Sequence, residues 1–131
     1  MSKVISEDVR LFVRTHIRSM FELETLLLLA REPERWWNAE TVDRQLRASR
    51  EAVAAQLERL ADIGLLDVQT EHEKRFRFSP SAPEHVPIVA VLITMQRDRF
   101  HAVVDLVYGR DRAQEFANAF KIKKSKDDDN G

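Results

Sequence analysis

The stretch Asn38-Ala39-Glu40-Thr41-Val42-Asp43-Arg44-Gln45-Leu46-Arg47-Ala48-Ser49, running on to Leu57, Leu60, Ile63, Gly64 and Leu65, decides how this chain folds. Asn38 is a good helix cap, and Val42 and Leu46 stand four apart, so the spacing predicts a short helix from about Ala39 to Arg47. Ala48-Ser49 makes a turn, and Ser49 caps a second helix, Arg50 to Ile63, with Val53, Leu57 and Leu60 as one apolar stripe. Gly64 supplies the left-handed stop that helices commonly use. Leu65-Leu66-Asp67-Val68 then reads as a strand, Gln69 to Glu73 as a polar tip, and Lys74-Arg75-Phe76-Arg77-Phe78 as a strand alternating with period two. Two helices about a tight turn, followed by a hairpin flap, form the centre of the chain.

Working outward, Ser6-Glu7-Asp8 marks a helix start, with Val9, Phe12, Val13 and Ile17 recurring at helical spacing. Ser19-Met20-Phe21-Glu22 fits a capping box and opens an almost wholly apolar helix through Leu23, Leu26, Leu27, Leu28 and Leu29, which should be central. Glu32-Pro33 ends it. Of the adjacent Trp36 and Trp37, the ordinary arrangement is one ring plugging the sheet edge and one half-exposed; the alternative is part of a ligand pocket.

Downstream, Ser79-Pro80-Ser81-Ala82-Pro83 is a linker, and Pro87 suits the first turn of the next helix. One long helix is expected from Ile88 to Tyr108, about 30 Å in length. Gly109 stops it, Asp111 caps a short helix carrying Phe116 and Phe120, and Lys121 to Gly131 is a polar tail. The expected divisions are an N-terminal helix (1–18), a helix-and-hairpin unit (19–79), a linker (80–87), C-terminal helices (88–120) and the tail (121–131). The fold class is mainly α: a three-helix core with a two-stranded β-hairpin, flanked by an N-terminal and a long C-terminal helix.

Composition sets the outer limits. The chain of 131 residues has 44% hydrophobic and 33% charged side chains, enough for a real core and a well-solvated surface. It has no cysteine, which excludes disulfides and thiolate metal sites and fits a reducing cytoplasm. His16, His72, His85 and His101 are too scattered for a local metal motif, and none is singled out as a sensor. The amino terminus turns acidic at once and lacks an apolar leader region, and the longest apolar runs fall far short of the roughly 20 residues that cross a bilayer. A cytoplasmic protein with no membrane partner and no cofactor is expected. With three glycines, no cysteine and Ser6, Ser19 and Ser49 all reading as helix caps, no catalytic set suggests itself, so the chain is not expected to be an enzyme.

On these residues, Ser19 to Ser79 resembles the winged helix-turn-helix domain of bacterial transcription regulators of the MarR and ArsR kind. The matching features are the Asn38-Ala39-Glu40 start, the set Val42, Leu46, Val53, Leu57 and Leu60, the Ile63-Gly64-Leu65-Leu66 exit and the Arg75-Phe76-Arg77-Phe78 strand. The resemblance implies a recognition helix from Arg50 to Ile63 and a wing from Asp67 to Phe78. It implies double-stranded DNA as partner, with Ser49, Arg50, Gln56 and Arg59 near the groove and Lys74, Arg75 and Arg77 on phosphates. Such regulators commonly pair through helices outside the DNA-reading unit, so Val9, Phe12, Val13, Leu92, Phe100, Val103 and Val107 are the expected homodimer surface.

Electrostatics pull the other way. Net charge is −1, and Ser49 to Gly64 carries two basic side chains against three acidic ones. A 100° wheel puts Glu51, Ala55, Glu58 and Asp62 on the outward line of the second helix, and Ala54 and Ala55 stand where base-reading side chains are usual. Alanine forms no bidentate bond to a base, a contact worth about 1–3 kcal/mol of discrimination. The arginines could instead pair with their own helix, the wing cations could be an ordinary hairpin surface, and the long helix could fold back on its own domain. The Lys121-Ile122-Lys123-Lys124-Ser125-Lys126 run is offset by Asp127-Asp128-Asp129 and reads as a solubilising tail. The leading expectation is a homodimeric DNA-binding transcription regulator. The alternative is a protein-interaction module with an acidic recognition face, and a third is a small-molecule sensor with a pocket near Trp36 or beneath the long helix.

Overall fold

The structure, a computed structural model, describes residues 6–109. Helices α1 (Glu7–His16), α2 (Met20–Arg31), α3 (Ala39–Leu46) and α4 (Arg50–Asp62) precede strands β1 (Leu66–Gln69) and β2 (Arg75–Phe78). Helix α5 (His85–Asp98), the short α6 (Phe100–Val104) and a π-helical turn (Asp105–Gly109) follow. The two strands pair antiparallel, Leu66 opposite Phe78 and Gln69 opposite Arg75. Trp37 adds a one-residue bridge to β2, its N–H donating to the Phe76 carbonyl at 2.8 Å and its own carbonyl accepting from Phe76 at 2.7 Å.

Helix α2 is the pillar, packing on α3, α4, α5 and β2. Leu23, Leu26, Leu27 and Leu29 are fully buried, each contributing about 1.5–3 kcal/mol by leaving water. Trp37 is the core tryptophan at the sheet edge, and Trp36 is half-buried. Where α4 ends, Gly64 has φ +87°, Gly64 N–H donates to Ala61 and Leu65 N–H donates to Leu60. That pair of bonds is a Schellman close, which needs the left-handed residue glycine accepts without strain.

The C-terminal region differs from the expected single rod. The helix starts at His85, three residues before Ile88, and breaks at Arg99 (φ −140°, ψ 58°). The polar run Gln96 to Arg99 interrupts the apolar stripe there, and the bend turns Val103, Leu106 and Val107 back into the core against α1. Tyr108 closes this return, its hydroxyl accepting from Met20 N–H at 2.9 Å. Most of the residues expected at a dimer surface are covered within the single chain. Val9, Phe12, Val13, Leu92, Val103 and Val107 are all buried inside their own chain, and of that set Phe100 alone is exposed, at 47%. The short helix expected after Asp111 and the tail lie outside the described residues.

Two contacts tie the N-terminal helices to the rest. Ser19 caps α2 as expected, accepting from Glu22 N–H at 3.1 Å, but the Glu22 carboxylate does not return to Ser19. It accepts from Arg18 N–H at 2.7 Å and from the Arg59 guanidinium at 2.6 Å, and the same Arg59 nitrogen donates to the His16 carbonyl at 3.0 Å. Glu22 is 1% exposed, so this is a buried ion pair joining the α1–α2 corner to α4. Alongside it, Phe12, His16 and His85 form a ring cluster between α1 and α5, with centroids 4.8 to 5.1 Å apart.

Arg59→Ala leaves a buried carboxylate without its cation and should lower unfolding free energy by about 3–5 kcal/mol in urea titrations. The double variant Glu22→Leu/Arg59→Met should recover most of that loss; additive losses would show that the pair does not act as a unit. Burial, and then the neighbouring His16, hold the His85 pKa below its ordinary value of 6.5. The unfolded chain therefore takes up this proton first on acidification. His85's contribution is full above 6.5 and is lost as pH falls from there through its lower folded value. Melting temperatures between neutral and mildly acidic pH should fall more in the natural chain than in His85→Phe.

Candidate nucleic-acid interface

The turn between α3 and α4 is built by short-range chemistry. Asn38 and Thr41 form a reciprocal capping box, with Thr41 N–H donating to the Asn38 side chain at 2.8 Å and Asn38 N–H donating to Thr41 Oγ1 at 3.2 Å. Arg47 adopts the left-handed conformation at φ 57°, and Ala48 N–H donates to Asp43 Oδ1 at 2.9 Å. Ser49 then caps α4, accepting from Ala52 N–H at 3.0 Å. These bonds fix where α4 begins, and the fully buried Val53, Leu57 and Leu60 fix which side faces in.

The expected groove residues do not act as one set. Arg50 stands exposed in the first turn of α4, with Ser49 beside it. Arg59 is turned to the opposite end of the domain, held by Glu22 and the His16 carbonyl. Gln56 is partly buried, and its side-chain oxygen lies inside without a partner among the described residues. The sequence reading missed Arg47. Its left-handed backbone leaves the side chain exposed at the turn, close in sequence to Arg50, and neither forms an ion pair among the described residues. Arg44 is exposed on the last turn of α3 but pairs with Glu40 at 3.1 Å. No hydropathy pattern distinguishes Arg47 from the helical residues before it; only its position just ahead of a serine cap hints at the turn.

On the wing, Phe76 and Phe78 are buried and the alternating Arg75 and Arg77 are exposed and partly exposed. Each wing cation meets a carboxylate: Lys74 with Glu58 of α4 at 2.5 Å, Arg75 with Glu73 at 3.4 Å and Arg77 with Asp67 across the hairpin at 3.5 Å. Glu73 also accepts from the Asn38 side chain at 3.1 Å, so the wing is fastened to both helices of the turn unit. The Arg77 guanidinium lies 4.4 Å from the centre of the Trp36 ring and covers that face. The acidic line of α4 is thereby reduced: Glu58 is occupied by Lys74, and Glu51 and Asp62 remain exposed at its two ends.

No group of three or more histidine, aspartate or glutamate side chains among the described residues is placed to hold a metal ion. No described helix is long and apolar enough to cross a membrane.

No family model matches the chain, and no curated protein matches it. Solved structures do. MepR, a transcription regulator of the Staphylococcus aureus multidrug efflux pump MepA, is 13% identical with a TM-score of 0.53, covering 91% of this chain and 87% of that one. A structure of Lactococcus lactis ZitR is 17% identical with a TM-score of 0.53, covering 97% and 81%. The transcriptional regulator Tm0710 from Thermotoga maritima is 14% identical with a TM-score of 0.50, covering 94% and 85%. The likeness takes in the flanking helices as well as the central unit, and at these identities it is a likeness of fold: this chain is a winged helix built like those regulators.

Proposed function

We propose that the chain is a cytoplasmic DNA-binding transcription regulator that acts as a homodimer. The observation that carries the DNA reading is the exposed start of α4, where Ser49, Arg47 and Arg50 surround a helix N-terminus pointing to solvent. The first-turn N–H groups and partial positive charge there suit a phosphate, and the first turn of a recognition helix is the part that enters a major groove. Arg50 and Arg47 supply the charge that Ala54 and Ala55 do not. Lys74, Arg75 and Arg77 on the wing would add phosphate contacts, a DNA phosphate replacing the carboxylate partner of each.

The reading as a protein-interaction module draws support from the exposed Glu51 and Asp62, which would meet a basic partner. With Glu58 held by Lys74, that acidic face is the weaker of the two surfaces. For the dimer, the exposed Phe100 on α6 marks where a second chain would pack, in place of the residues the fold already buries.

Fluorescence anisotropy on mixed-sequence duplex should show binding whose logarithm falls linearly with log salt, by about 0.9 per phosphate contacted. Arg50→Ala should weaken it and lower that slope by about 1, and Arg75→Ala/Arg77→Ala together by about 2, on all sequences alike. No duplex binding at low salt would remove the DNA reading and leave the protein-partner one. Light scattering should give about twice 15.3 kDa for the natural chain and the single-chain mass for Phe100→Glu. A monomer mass for the natural chain would contradict the dimer.

A further inference from the structure

The first two turns of α4 carry a carboxylate that phosphate binding alone leaves without a role. Arg50, Glu51 and Ala55 are exposed there and Ala54 is partly exposed, opposite the buried Val53 and Leu57. Of the other carboxylates of α4, Glu58 is held by Lys74, and Asp62 lies at the far end of the helix. Glu51 directly follows Arg50, and its side chain forms no hydrogen bond or ion pair among the described residues. An acidic side chain in a first turn meets the helix's partial positive end, a gain of about 0.3–1 kcal/mol. That would be its whole account if this surface faced only water.

The DNA reading proposed above, on which this inference rests, lays the same surface against a major groove. A carboxylate has few partners there, because it only accepts hydrogen bonds. Phosphates repel it, guanine offers the acceptors N7 and O6, and thymine offers O4 and a methyl group. The donors are the amino groups, N4 of cytosine and N6 of adenine. Adenine sets its N7 acceptor beside that donor, whereas cytosine carries no acceptor on its own major-groove edge, so cytosine is the better match. The single methyl groups of Ala54 and Ala55 let this stretch of helix come close to the base edges. The Gln56 side-chain oxygen lies inside, which leaves Glu51 as the acceptor side chain exposed on these two turns.

We propose that Glu51 sets the base preference of α4, its carboxylate accepting from the N4 amino group of a cytosine. Arg47 and Arg50 then supply charge for the neighbouring phosphates, and the carboxylate acts as a filter. At its position it gains a bond from cytosine and meets acceptors on guanine and thymine, so part of the selectivity comes from repelling the wrong base.

Binding-site selection from a pool of random duplexes tests this on the full chain, run in parallel on the natural protein, Glu51→Ala and Glu51→Gln. The natural chain should select duplexes with a fixed cytosine at one position. Glu51→Ala should lose that preference and keep the others. Glu51→Gln should exchange cytosine for adenine, whose N6 and N7 a carboxamide meets with two bonds. On the selected duplex, removing only the N4 amino group of that cytosine should weaken the natural chain about tenfold, or about 1.4 kcal/mol. The same change should leave Glu51→Ala unmoved. A carboxylate that only stabilises α4 would alter the melting temperature and no base preference. One that only repels DNA would, on change to glutamine, tighten every sequence alike. Either pattern, with duplex binding intact, would overturn this proposal alone. An absence of duplex binding by the natural chain at low salt would remove the DNA reading itself, and this proposal with it.

Discussion

The Glu22–Arg59 pair is the constraint on which the arrangement of this molecule depends. One carboxylate, almost wholly removed from water, takes the backbone of Arg18 on one oxygen and Arg59 on the other, while Arg59 also reaches the His16 carbonyl. Three segments meet there: the end of α1, the start of α2 and the last turn of α4. Apolar packing alone would allow α4 some freedom to rotate about the stripe of Val53, Leu57 and Leu60. A directional, charge-assisted bond from Arg59 removes it, and with it fixes which residues of α4 look outward. Breaking one partner is expensive because the other stays buried and charged.

The exposed end of α4 follows from that orientation. With Arg59 committed to the interior, the cations left for an outside partner are at the opposite end, Arg50 and Arg47, beside the serine cap. The wing is held by the same logic of local neutralisation. Lys74 reaches across to Glu58, and Glu73 reaches back to Asn38, so the hairpin is tied to α4 and to the cap of α3. The near-zero net charge thus hides local pairing: Glu22, Glu58, Glu73 and Asp67 are each partnered by a cation of the chain, while Arg47 and Arg50 stand exposed beside the start of α4.

Much of this was legible in the sequence, and the rest was not for identifiable reasons. The serine and asparagine caps, the Gly64 stop and the period-two Phe76 and Phe78 are local signals, and each marks the element it predicts. Arg59 reads as a surface residue because its partner lies 37 positions away on another helix, a separation no local pattern encodes. The long C-terminal rod looked continuous because apolar residues continue past Arg99 at helical spacing; the break needs the α1 surface that Val103 and Val107 cover. Most of the apolar face ascribed to a second chain is buried within this one, Phe100 excepted. Arg47 was missed because a left-handed residue at a helix end leaves no mark in hydropathy.

If the buried pair fixes α4 against the α1–α2 corner, those segments share one opening reaction. Native-state hydrogen exchange followed by NMR measures this directly, on the Arg18 amide that binds Glu22 and on amides in the middle of α4. The account predicts a common opening free energy for both, close to that of global unfolding. Exchange at the Arg18 corner far ahead of α4 would contradict it.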